Sequence, residues 1–92
     1  MNKNLKITSS NGWQTSVADK NIIEDVFPPE YTIKEVKYLG LMVSADCYVS
    51  INGGKPLFVD HRLGLDYDVN FEPINSLKFN SSGFNYYFLA GY

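Results

Sequence analysis

The stretch that decides the fold runs from Met42 to Leu65 and reads MVSADCYVSINGGKPLFVDHRLGL. Val43, Ala45, Cys47, Val49 and Ile51 alternate with Ser44, Asp46, Tyr48, Ser50 and Asn52. A period of two sends alternate side chains to opposite faces of an extended chain, so this is a half-buried strand with one dry and one wet face. Asn52-Gly53-Gly54-Lys55 follows at once, and Asn and Gly accept the positive φ angles of a tight hairpin turn. Lys55 to Asp60 is expected to return as the partner strand.

Downstream, Leu63, Leu65, Tyr67 and Val69 alternate with Gly64, Asp66 and Asp68, which predicts a strand with one acidic face, interrupted at Glu72-Pro73. Ile74 to Asn80 predicts a further strand with Leu77 and Phe79 on one face, closed by Ser81-Ser82-Gly83. Phe84 to Tyr92 (FNYYFLAGY) is apolar on both faces, so this strand is expected inside the assembly.

Upstream, Leu5 and Ile7 flank Lys6, and the turn-forming run Ser9-Ser10-Asn11-Gly12 suggests a hairpin of Lys3–Thr8 with Trp13–Ala18. Trp13 is either a core plug or an exposed anchor, with the core favoured. Ile22, Ile23, Val26 and Phe27 fall on one helical stripe, with Asp19 as N-cap and Pro28-Pro29 as the stop, so one short helical turn near 20–27 is expected. An irregular arm is the other reading. Tyr31 to Leu39 resumes strand character, with a bulge near Lys34-Glu35 and a bend at Gly40. Seven or eight short strands at roughly 8–12-residue spacing predict an all-β fold. The expected form is one small antiparallel β-sandwich or jelly-roll-like barrel over 1–92, with 1–27 an arm or peripheral hairpin.

The composition narrows the function. A net charge of −2 leaves no basic footprint for nucleic acid. No run approaches the ~20 apolar residues of a membrane span, and the polar start Met1-Asn2-Lys3-Asn4 leads into no signal-like stretch, so synthesis in a cytoplasm is expected. Cys47 is the single cysteine and reads as a core residue. Seven Tyr and six Phe are many for 92 residues, and such side chains serve sheet cores and interfaces alike.

No catalytic, cofactor or metal site is expected. Asp60 and His61 are adjacent in a strand and so point apart, with no nucleophile at an obvious distance. One His and one Cys fall short of a zinc site. Asp60, Asp66 and Asp68 could offer oxygens to calcium, but the Gly-punctuated acidic loop is missing, and a solvated acidic edge that discourages strand pairing is the simpler reading. Gly53-Gly54-Lys55 lacks the spaced Gly, the Ser/Thr and the helix of a phosphate loop. The aromatic group Phe84, Tyr86, Tyr87, Phe88 and Tyr92 could stack sugars, with core packing or a protein interface as the plainer use.

Ile51-Asn52-Gly53, Gly64-Leu65-Asp66, Ser76-Leu77-Lys78-Phe79 and the closing Ala90-Gly91-Tyr92 together resemble small β-rich virion proteins of tailed bacteriophages. The resemblance covers the second half of the chain. It implies a non-enzymatic head decoration, head–tail junction or tail and fibre accessory, made in the host cytoplasm and resident in the virion. Its partners would be other capsid or tail proteins, in a symmetric homo-oligomer or multi-copy assembly. Trp13, Phe27, Tyr31, Phe84, Tyr86, Tyr87 and Tyr92 are the interface candidates. A carbohydrate-binding module for cell-surface attachment is the alternative, with a glycan as its ligand.

Overall fold

Two antiparallel sheets form the protein, and the computed structural model describes residues 6–27, 30–32, 34–68 and 72–92. The expected start of the first strand and the N-terminal end of an arm (residues 1–5), the helix stop at Pro28-Pro29, and the strand positions Ile33 and Val69 lie outside the described residues. The strands are β1 (Ile7–Ser9), β2 (Gln14–Thr15), β3 (Tyr38–Val43), β4 (Cys47–Ile51), β5 (Leu57–Val59), β6 (Leu65–Tyr67), β7 (Leu77–Phe79) and β8 (Asn85–Gly91). One sheet has the order β1-β8-β3-β6, with β2 also on β8, and the other has the order β5-β4-β7. The fold is all-β, as the alternation of the sequence predicts.

The core is the space between the sheets. From the larger sheet come Leu39, Leu41 and Val43 of β3 and Tyr86, Phe88 and Ala90 of β8; from the smaller come Cys47, Val49, Val59, Leu77 and Phe79. Each large apolar side chain so buried contributes roughly 1.5–3 kcal/mol before the entropy of ordering it is charged. Phe79 is the hub: its ring meets Phe84 edge-on at 5.0 Å and Tyr86 at 4.9 Å. The apolar pair Val36 and Ile74 closes one side through two reciprocal backbone bonds of 2.8 Å.

The central hairpin forms as the sequence predicts. β4 pairs antiparallel with β5 in the register Cys47↔Val59, Tyr48↔Phe58 and Val49↔Leu57. Asn52 and Gly53 both take positive φ, 52° and 73°, and the amide of Gly54 bonds the Ile51 carbonyl at 2.9 Å. Asn52 also accepts from the amides of Asn75 and Ser76 and donates to the Pro73 carbonyl. The turn is thereby tied to the approach to β7.

The ten-residue alternation is not one strand, however. The chain leaves the larger sheet after Val43, turns at Ser44–Asp46 and enters the smaller sheet at Cys47. Parity survives the crossing because both inner faces look into the same core, and only Ala45, at the corner, is exposed. The strand expected over Tyr31–Leu39 begins only at Tyr38, with Lys34 and Glu35 outside any strand. Gly40 is not a bend but the middle of β3, where the Tyr38 ring lies over it: an added Cβ would stand 3.0 Å from the Tyr38 hydroxyl. That hydroxyl bonds Asp66 on β6, and the bond to a carboxylate holds the phenol above its ordinary pKa.

The N-terminal hairpin does not form. β1 and β2 run in the same direction along β8, pairing Ile7–Ser9 with Gly91–Leu89 and Gln14–Thr15 with Tyr86–Asn85. They are one edge strand interrupted by a local excursion, not two strands facing each other. Ser10 makes the excursion workable: its hydroxyl donates to the Gly12 carbonyl and accepts from the Phe88 amide, so the ladder to β8 continues past the gap. Ser16, 1% exposed, performs the same service by accepting from the Phe84 amide.

A 3-10 turn at Ile22–Val26 is the one helical piece among the described residues. Its cap is Asn21, not Asp19, which sits instead at a φ of 65°. The Asn21 side-chain oxygen accepts from the amides of both Ile23 and Leu77, fastening the turn to β7. The predicted stripe of Ile22, Ile23, Val26 and Phe27 is buried, so this segment caps the core.

Candidate functional site

Three surfaces gather the chemistry-bearing residues. The first is the corner where β4 begins and β5 ends. The chain turns at Asp60–Gly64, with the amides of Leu63 and Gly64 both donating to the Asp60 carbonyl. This turn corrects the expectation that Asp60 and His61 must point apart, because strand alternation no longer applies there. Asp46, Asp60 and His61 bring ligating atoms within 4.8 Å of one another, the one such group of three among the described residues.

Hydrogen bonds within the corner tie these residues together. One oxygen of Asp46 accepts the His61 backbone amide at 2.9 Å and faces the ring Nδ1 at 2.7 Å. Asp60 accepts from the amide and Nε of Arg62 on one oxygen and from Nη2 at 2.7 Å on the other. The hydrogen bonds from His61 hold the Asp46 carboxyl below its ordinary range, and those from Arg62 do the same, more strongly, for Asp60. What this arrangement does is brace the start of β4 against the turn after β5. Asp66 and Asp68, the other acidic residues offered for calcium, join no group of three ligands among the described residues. Cys47 is buried, and burial raises its thiol pKa, which keeps it in the unreactive protonated form.

The second surface is the outer face of the larger sheet. Cross-strand register places Tyr87 of β8 beside Met42 of β3, and Leu89 between Ser9 and Gly40. Met42 is 57% exposed and Leu63, on the turn before β6, 85%. Trp13 adds to this face: it is 54% exposed and its ring lies 6.1 Å from that of Tyr87. The favoured placement of Trp13 in the core is therefore wrong, because the excursion between β1 and β2 swings it outward. Sequence reasoning missed Met42, Leu63 and Leu89. The signal for Met42 and Leu89 was an apolar residue at an outward parity position; Leu63 gave none before the turn was known.

The third surface is a groove of about 520 Å³ beside the end of β8. Phe27, Tyr31 and Tyr92 form its wall, with ring centroids 4.8 to 5.9 Å apart and mostly edge to face. Glu30, Glu35 and Lys37 stand round it. Tyr92 is fixed by reciprocal backbone bonds with Lys6 at 2.7 and 2.8 Å, and the Lys37 amide bonds the neighbouring Gly91 carbonyl. Three of the seven interface candidates thus converge here, and Trp13 and Tyr87 meet on the outer face. Tyr86 is no interface residue: it is 3% exposed and faces the core, as parity with Phe88 and Ala90 requires. Phe84 is half-buried, packed edge-on against Phe79.

By fold and surface, then, this is a small two-sheet β-sandwich with a self-braced polar corner, an apolar outer face on the larger sheet and an aromatic groove; the smaller sheet exposes the cross-strand pair Tyr48 and Phe58 on its own outer face. Comparison with protein-family models, curated proteins and solved structures finds no match to the chain.

Proposed function

We propose that the chain is a non-enzymatic structural component of a tailed-phage virion, a head decoration, head–tail junction or tail accessory, seated against neighbouring virion proteins. The observation that carries the reading is the outer face of the larger sheet. Met42, Leu63, Trp13 and Leu89 are exposed there together, and a contiguous apolar patch on a small domain is the mark of a surface that another protein covers. The phage setting rests on the resemblance of the second half of the chain. At the polar corner, Asp46 and Asp60 accept the backbone amides of His61 and Arg62, so both carboxylates serve the turn after β5.

The test is incorporation. The native chain co-purifies with particles, whereas Met42→Ser with Leu63→Ser folds normally and is left behind. Each apolar side chain denied burial forfeits roughly 1.5–3 kcal/mol of contact, about tenfold or more in affinity. A chain found only free in infected cells, or a double variant that incorporates as well as the native one, overturns the proposal. Mass measurement in solution gives the companion result: a stable closed oligomer is expected of a symmetric particle position.

A further inference from the structure

We propose that the groove walled by Phe27, Tyr31 and Tyr92 is a binding site for a neutral sugar ring. This goes beyond the structural role above and rests on a different surface.

Phe27 is buried and backs the wall, while Tyr31 and Tyr92 are half-buried and leave ring surface open to the groove. Glu30, Glu35 and Lys37 form no ion pair among the described residues, where Lys20, His61 and Arg62 each hold a carboxylate. The groove therefore combines an apolar aromatic wall with carboxylate acceptors and an ammonium donor that are in no ion pair among the described residues. A sugar ring matches all three features: its C–H face lies against an aromatic ring, and its hydroxyls both donate to carboxylates and accept from an ammonium.

Other ligand classes fit less well. An apolar ligand would use the aromatic wall alone and make no use of the three charged groups beside it. An anion meets two carboxylates against one lysine. A quaternary ammonium is held by rings arranged around it, but these rings pack on one another at 4.8 to 5.9 Å and make a wall, not a cage. The groove is shallow and open, with about 520 Å³ of space over the aromatic wall. The wall is also pre-set, because Tyr92 is bonded on its backbone to Lys6 and its neighbour Gly91 to Lys37; a held platform loses little freedom on binding.

The experiment is an amide-shift titration of the purified chain with the methyl glycosides of glucose, galactose and N-acetylglucosamine, and with choline chloride in parallel. At least one glycoside is expected to give saturable shifts at Thr32, Lys37, Gly91 and Tyr92 in the millimolar range, with none from choline. Tyr92→Ala and Glu35→Gln should each weaken that binding by about tenfold or more. Should Tyr92→Ala fail to fold, Tyr31→Ala and the isosteric Glu35→Gln carry the test. The proposal is overturned if no glycoside saturates, if the folded variants bind as well as the native chain, or if choline binds more tightly than the sugars. A groove that ignores all four probes but is protected by a virion partner would belong to the protein interface instead.

Discussion

Replacing Gly64 by Ala should damage this protein more than any other single added methyl on a turn. Gly64 ends the turn that leads into β6, at a φ of 70°, where a side chain costs about 1–2 kcal/mol through its contact with the following carbonyl. A Cβ built there would also collide with the backbone carbonyl oxygen of Leu41 on β3. A flexible side chain could swing away, but a strand carbonyl cannot. Relief requires β6 to draw back from β3, which loosens the register Leu39↔Tyr67, Gly40↔Asp66 and Leu41↔Leu65. Overpacking of this kind costs about 1–3 kcal/mol, so the total is about 2–5 kcal/mol. A domain of 92 residues has only about 5–14 kcal/mol in all.

The control is Gly53→Ala. Gly53 has nearly the same φ, 73°, but nothing within 4 Å of the added Cβ, so only the backbone term of about 1–2 kcal/mol applies. In urea, where small domains lose about 1–3 kcal/mol per molar, the Gly64 variant should unfold about 1 M earlier than the Gly53 variant. Equal midpoints for the two variants would refute the claim that the close approach of the β6 turn to β3 is what reserves position 64 for glycine.

Asn21 should prove the key polar tie between the 3-10 turn and β7. Asn21→Ala strands the buried Leu77 amide as well as uncapping the turn, a loss of about 2–4 kcal/mol by urea denaturation, whereas Asn21→Asp keeps the acceptor and loses less. Equal losses would argue that the shared oxygen is not the cause. At low pH, the depressed carboxyls of Asp46 and Asp60 set the sign. Their contribution is complete above the unfolded value of about 3.9 and is lost as pH falls from there toward the lower folded values, so the urea midpoint should drop between pH 5 and pH 2. The combined Asp46→Asn and Asp60→Asn variant should show a shallower drop, small in absolute terms because both pairs face solvent; an unchanged slope would assign acid sensitivity to other groups.

Much of the fold was legible because a half-buried sheet writes its faces into the chain as a period of two. That period marked Val43, Cys47, Val49, Leu77 and Phe79 as inward residues, and the stripe at Ile22, Ile23, Val26 and Phe27 marked the helical turn. The turn at Asn52-Gly53 was readable from the φ angles that those residues tolerate. What parity cannot carry is the identity of the neighbour. The same alternation serves a strand that stays in one sheet or one that crosses to the other, so the break between Val43 and Cys47 left no trace beyond Ala45. Nor can turn residues say whether a chain reverses or only detours, which is why Ser9 to Gly12 suggested a hairpin and forms an interruption in one edge strand.

The sites divide in the same way. The residue types on each surface belong to the sequence: an excess of Tyr and Phe, an outward Met42, a lone His61 among carboxylates. Their meeting belongs to the tertiary structure alone, since Asp46 reaches His61 across a hairpin and Tyr92 reaches Phe27 from the far end of the chain. Alternation is a local property that each strand enforces on its own residues, whereas a groove or a braced corner exists only after two sheets have closed on a common core.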